Sequence, residues 1–105
     1  MIFRNLTPHA LSVRNSAGEL IEIPPTAPAA RLAVHTVRIG TMAGFDVAKS
    51  ELGEVENLPP PVPGVAYIVS RLIVDALPDR DDLFAPGPAI RDDAGRVIGA
   101  EGLAR

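Results

Sequence analysis

Leu11-Ser12-Val13-Arg14-Asn15-Ser16-Ala17-Gly18-Glu19-Leu20-Ile21-Glu22-Ile23 is the stretch that decides the fold. Leu11 and Val13 alternate with Ser12 and Arg14, and Leu20 or Ile21 with Ile23 repeats the pattern, which is the two-residue period of a half-buried strand. Between them, Asn15-Ser16-Ala17-Gly18 ends on a glycine free to take the left-handed conformation that a short hairpin loop requires. A β-hairpin over residues 11–23 follows. Near the other end of the chain, Ala89-Ile90-Arg91 and Arg96-Val97-Ile98 flank Asp92-Asp93-Ala94-Gly95, a second hairpin of the same design.

Outward from these hairpins the chain reads as more short strands. Met1 to Leu6 carries Ile2, Phe3 and Leu6 and forms a first strand, turned by Thr7-Pro8-His9 because Pro8 pushes Thr7 into an extended conformation. Pro24 to Pro28 is a surface connection, since proline cannot join a sheet interior. Arg31 to Ile39 alternates again, Gly40 and Gly44 bracket a turn, and Phe45 with Val47 begins a partner strand. Glu51, Glu54 and Glu56 read as an acidic connection, and Leu58 to Gly64 as a rigid, polyproline-like spacer. Val65 to Val69 is a dense apolar run and a central strand. Ser70 then caps a helix in which Leu72, Ile73, Ala76 and Leu77 recur at helical spacing until Pro78 ends it. Asp79 to Asp82 reads as a solvated loop, Leu83 to Ala85 as a brief strand, and Gly99 to Arg105 as a tail. The sum is a mainly β (α+β) single domain over residues 1–105: a small antiparallel barrel or compact sandwich of short strands, with one short helix near 70–77.

Composition narrows the function. With 105 residues the chain supports one core. The absence of Cys removes disulfide frameworks, thiolate zinc sites and cysteine nucleophiles together. The formal net charge of -3, with Lys49 the single lysine, argues against a nucleic-acid grip. No stretch approaches the roughly 18 apolar residues of a membrane helix, so the expected compartment is the cytoplasm. Nine of the ten basic residues are Arg, a bias that suits planar, bidentate contacts to phosphate as well as a GC-rich coding sequence.

Catalytic signatures are missing. There is no nucleophile elbow, phosphate-binding loop or zinc-protease motif, and the two histidines, His9 and His35, fall on different expected elements. The expectation is therefore no enzyme, no cofactor and no metal. Asp92 and Asp93 most simply bond the amides of their own turn. The segment Tyr67-Ile68-Val69-Ser70-Arg71 carries the sharpest ligand signal, because a strand feeding a helix presents free N–H groups to an anion. Ser70 adds a hydroxyl and Arg71 a cation there, Arg91 is within reach if its hairpin pairs nearby, and Tyr67 or His9 offers a ring to a base. The structural alternative is that Ser70 only caps the helix and Arg71 pairs with Asp75.

Three phrases taken together, Asn5-Leu6-Thr7-Pro8-His9-Ala10, Tyr67-Ile68-Val69-Ser70, and Pro86-Gly87 leading to Arg91-Asp92-Asp93-Ala94-Gly95-Arg96-Val97-Ile98-Gly99, resemble a family of small, mostly uncharacterised proteins of tailed bacteriophages and prophages. The resemblance implies a bacterial host cytoplasm and singles out Asn5, Thr7, His9, Ser70, Arg71, Arg91 and Asp92 as polar positions of interest. In that setting the expected function is a non-enzymatic sponge that sequesters a phosphate-containing (cyclic) nucleotide signal of host immunity, acting as a homo-oligomer. The alternative is a structural or protein-interaction module that holds a partner by a sheet edge or by Leu58 to Gly64. A small phosphoester or glycosidic hydrolase using His9 ranks last.

Overall fold

A computed structural model describes all residues from Met1 to Arg105. Its elements, in chain order, are β1 (Ile2–Asn5), β2 (Leu11–Arg14), β3 (Leu20–Ile23), β4 (Arg31–Met42), β5 (Phe45–Glu56), β6 (Val65–Ile68), α1 (Arg71–Ala76), β7 (Leu83–Pro86), β8 (Ala89–Arg91), β9 (Val97–Glu101) and β10 (Leu103–Ala104). The strands make two four-stranded sheets, ordered β1-β6-β7-β10 and β3-β2-β9-β8, and a separate two-stranded ribbon, β4-β5.

The mainly β reading holds, with one short helix where the capping and spacing signals place it. The sheets are mixed rather than antiparallel, which corrects the expectation. β6 pairs in parallel with β1 on one side and β7 on the other, and β2 pairs in parallel with β9. The reason lies in the connections. From Val69 to Asp82 the chain runs through α1 and returns to the starting end of the sheet, the crossover that parallel neighbours require. β6 is thus an interior strand covered on both faces, so Ala66, Tyr67 and Ile68 are buried without alternation. No closed barrel forms.

The core sits where α1 packs on the first sheet. Leu6, Tyr67, Val69, Ile73 and Leu83 form its centre, with Leu32, Val55, Leu58 and Leu77 packed around them. The two sheets are fastened by Asn5, the one buried polar residue. Its Nδ2 donates to the carbonyls of His9 and Ile23, both at 2.8 Å, while its Oδ1 accepts from the Thr7 amide at 2.9 Å and the Thr7 hydroxyl at 2.6 Å. All the hydrogen-bonding capacity of the side chain is used, and it ties β1 of one sheet to the end of β3 in the other.

Three further corrections concern segments read as irregular. Glu51, Glu54 and Glu56 belong to β5, where Glu51 stands opposite His35 and Glu56 opposite Arg31. The segment from Gly99 is mostly strand, completing the second sheet through β9 and the first through β10, with a break at Gly102. The Asp79–Asp82 loop is only partly solvated. Arg80 grips Asp82 through two bonds, Nε–Oδ1 at 2.7 Å and Nη2–Oδ2 at 2.8 Å, and also donates to the Pro59 carbonyl. The hydrogen bond from Arg80 holds the Asp82 carboxyl below its ordinary range, against the opposing effect of burial, and the same bond raises the Arg80 guanidinium.

Candidate functional site

β4 and β5 project from this body as an arm. Twelve residues at about 3.3 Å each carry the ribbon close to 40 Å. The radius of gyration is 17.1 Å, against about 13 Å for a compact chain of this length. At the tip, Met42 faces Phe45 across the two-residue turn Ala43-Gly44, whose φ angles of 51° and 87° are both positive, as a tight hairpin turn requires. Glycine takes this conformation readily; Ala43 takes it at a cost.

Strand register assigns the side chains of the arm to faces. One face carries the cross-strand pairs Leu32/Val55, Val34/Leu52, Thr36/Ser50, Arg38/Ala48 and Thr41/Asp46. The Arg38–Asp46 ion pair at 3.0 Å lies along it. The other face carries Arg31/Glu56, His35/Glu51, Val37/Lys49, Gly40/Val47 and Met42/Phe45. The first face is apolar at the base, where Leu32 and Val55 enter the core, and polar at the tip. The second is polar at the base and apolar at the tip. Two bulges break the register: Gly53-Glu54 opposite Ala33, and Ile39 between Arg38 and Gly40.

The apolar side chains of the arm are in water. Phe45 is 74% and Met42 70% exposed, and Val34, Ile39 and Leu52 are exposed as well. Where the arm leaves the body, an open groove of about 570 Å³ runs between its base and α1, lined mainly by Leu32, Leu52, Val55, Leu58, Ala76 and Leu77, with Glu54 and Arg80 also on its walls. An exposed apolar knob and a mainly apolar groove thus stand at opposite ends of one ribbon.

The residues expected to bind a nucleotide have other partners. Asn5 is 0% exposed and clamps the sheets, with Thr7 as its neighbour in that clamp. Tyr67 is 3% exposed within the core, which leaves its ring no free face. The ring of His9 is exposed, and its carbonyl belongs to the Asn5 network. Ser70 precedes α1 in an extended conformation without a side-chain cap bond, so its carbonyl, not its hydroxyl, serves the first turn. Arg71 pairs with Asp75 at 3.2 Å. Arg91 donates to the Gly95 carbonyl at 2.8 Å, and Asp92 accepts from the Ala94 and Arg96 amides, so both close the 92–95 turn. Arg71 belongs to the crossover of the first sheet and Arg91 to the edge strand of the second. No group of three His, Asp or Glu side chains is placed to hold a metal ion, and no helix is long and apolar enough to cross a membrane.

The strand from Arg31, the turn between Gly40 and Gly44 and the partner strand beginning at Phe45 were expected from sequence; the length of the arm and the groove at its base were not, because Glu51 to Glu56 looks like a charged linker. No family model, curated protein or solved structure matches this chain.

Proposed function

We propose that this chain is a non-enzymatic interaction module that engages a protein partner through the β4-β5 arm. The observation that carries this reading is the apolar tip: Met42 and Phe45, held at the end of a 12-residue ribbon by a tight turn and both largely exposed. An isolated two-stranded ribbon is marginally stable in water, because neither face gains from burial. A chain that retains a long one, and loads its tip with large side chains, gains those contacts from another surface. Aromatic residues and Met are also the types enriched where protein interfaces are buried.

The test places a photoreactive phenylalanine analogue at position 45 in producing cells, with the same analogue at the exposed turn position Asp93 as the comparison. Discrete adducts from position 45, absent from position 93, are the expected result. Equal labelling from both positions, or none from 45, refutes the reading. Depletion of a cyclic dinucleotide by the purified chain, with the ligand recovered intact on heating, would instead put the nucleotide-sequestering reading first.

A further inference from the structure

We infer that the occupant of the arm is a second copy of this chain, two copies exchanging arms so that each apolar tip fills the groove at the base of the other. The inference rests on the arm reading above and names its partner.

Three observations lead to it. The first is that one chain carries both a knob and a groove of fitting chemistry and cannot join them itself. Phe45 lies seven residues along β5 from Leu52 at the groove, more than 20 Å away at about 3.3 Å per residue. The turn at Ala43-Gly44 leaves no slack for the tip to fold back. Only another copy presents its tip to this groove.

The second is the face switch. The apolar pairs Val34/Leu52 and Met42/Phe45 lie on opposite faces of the ribbon. A two-stranded ribbon twists right-handedly, by about 25–35° across the 4.8 Å between strands, which along the strands amounts to roughly 20° per residue. Over the eight residues from Val34 to Met42 this comes to about half a turn, and the bulge at Ile39 adds to it. The half turn and the face switch cancel. At that typical twist both apolar patches look to the same side of the arm, one at each end, which is the pattern that two ribbons laid antiparallel side by side require. Under a two-fold axis the tip of each meets the base of the other, and the interface is closed.

The third is area. Val34, Val37, Ile39, Met42, Phe45 and Leu52 are all exposed. At about 60–120 Å² of side-chain surface each, they offer on the order of 500 Å² per copy. Two copies reach about 1,000 Å² before the groove walls and polar rim are added, and a stable interface buries about 1,200–2,000 Å². The charges permit the approach: Arg31, Arg38 and Lys49 face four acids along the arm, Asp46, Glu51, Glu54 and Glu56, with both signs interspersed.

The test uses the lack of native cysteine. Light scattering of the eluting wild-type chain at micromolar concentration is expected to give about 22 kDa, twice the 11.0 kDa of one chain. M42E/F45E, which alters only exposed tip residues, is expected at the single-chain mass with its melting temperature kept within a few degrees. In the double variant F45C/A76C, mild oxidation is expected to link two chains, since a disulfide needs Cα atoms closer than about 7 Å and the two positions are far apart within one chain. A wild type at single-chain mass overturns the inference, as does a dimer that survives M42E/F45E or an oxidised F45C/A76C that stays monomeric. A monomeric wild type whose position-45 analogue labels a different protein removes the second copy and leaves the arm reading intact. A monomer that labels nothing removes both.

Discussion

Replacing Asn5 by Ala removes four hydrogen bonds at once and takes a partner from the Ile23 carbonyl and the Thr7 amide, both on half-buried residues, and from the carbonyl of the exposed His9. A protein hydrogen bond contributes about 1 kcal/mol net, and a buried group left unpaired costs about 1–3 kcal/mol. Thr7 retains an acceptor for its hydroxyl, the His9 carbonyl at 3.0 Å, which offsets part of the loss. The expected cost is about 3–4 kcal/mol, a large share of the 5–15 kcal/mol typical of a domain. For a chain of this size that corresponds to a fall of about 15–25 °C in melting temperature. Circular dichroism of the wild type and Asn5→Ala through a thermal or urea transition measures it. Asn5→Asp is the informative companion. It keeps the acceptor toward Thr7 and turns the donor into a second acceptor facing two carbonyls, so its cost at neutral pH is at least as large. A loss below about 1 kcal/mol for Asn5→Ala, or a neutral Asn5→Asp, would refute the view that Asn5 holds the two sheets together.

Further outcomes follow from other parts of the molecule. Asp82→Asn should flatten the acid limb of stability. The Asp82 carboxyl is held low chiefly by the hydrogen bond from Arg80, so its contribution is present above the ordinary carboxylate pKa of about 4 and is lost as pH falls through the lower folded value. At neutral pH the variant loses about 1–3 kcal/mol, the worth of charge-assisted bonds, in a pair whose side chains are only 20% and 11% exposed; equal pH profiles for variant and wild type would count against the pair. Gly87→Ala places a methyl group against the Glu101 carbonyl, part of the backbone that β10 must approach, and should lower stability by more than about 2 kcal/mol in urea titration. Replacing His35 to Glu51 with Asn-Gly, which closes the directly opposed Val34 and Leu52 with a two-residue turn, should leave the body folded with a melting temperature within a few degrees of the wild type. Ala43→Asn relieves the left-handed strain at the tip and should raise hydrogen-exchange protection of the arm amides about threefold, near 0.5 kcal/mol, while the body amides stay as they are.

The legible parts of the sequence were those set by one-sided burial or by local backbone chemistry. Leu11–Arg14 alternates around Val13, which is buried, Leu20–Ile23 pairs along it with Ile23 half-buried, and Asn15 with Gly18 encodes the turn in place: the Asn15 side chain accepts from the Ala17 and Glu19 amides. α1 was legible from its spacing and its terminating proline. Of the arm, the alternation of Arg31 to Ile39, the turn between Gly40 and Gly44 and the start of a partner strand at Phe45 were legible, but its length was not, because both its faces meet water and the period-two signal of β5 vanishes among Lys49, Glu51, Glu54 and Glu56. Strand direction was hidden too: whether β6 pairs in parallel depends on where a crossover lands, which no local pattern carries. Two residues of the candidate binding set are internal for a related reason. Asn5 looks like surface chemistry in a list of polar residues, yet it is buried with a bond to the Ile23 carbonyl 18 positions away, and Tyr67 is buried in a cluster with Leu6 and Leu83.

The pairing of β2 with β9, and of β7 with β10, has a consequence for how the protein is made. β1 waits for β6, more than 60 residues downstream, and β2 waits for residues 100 and 101. While the chain is being synthesised, the local hairpins β2-β3 and β4-β5 can close on their own, long before β8-β9, the third local hairpin, is complete. Pairings of such long sequence separation close slowly, because the intervening loop must lose its entropy first. The arm thus forms before the body that carries it, on a nascent chain whose neighbours on the same message expose identical arms.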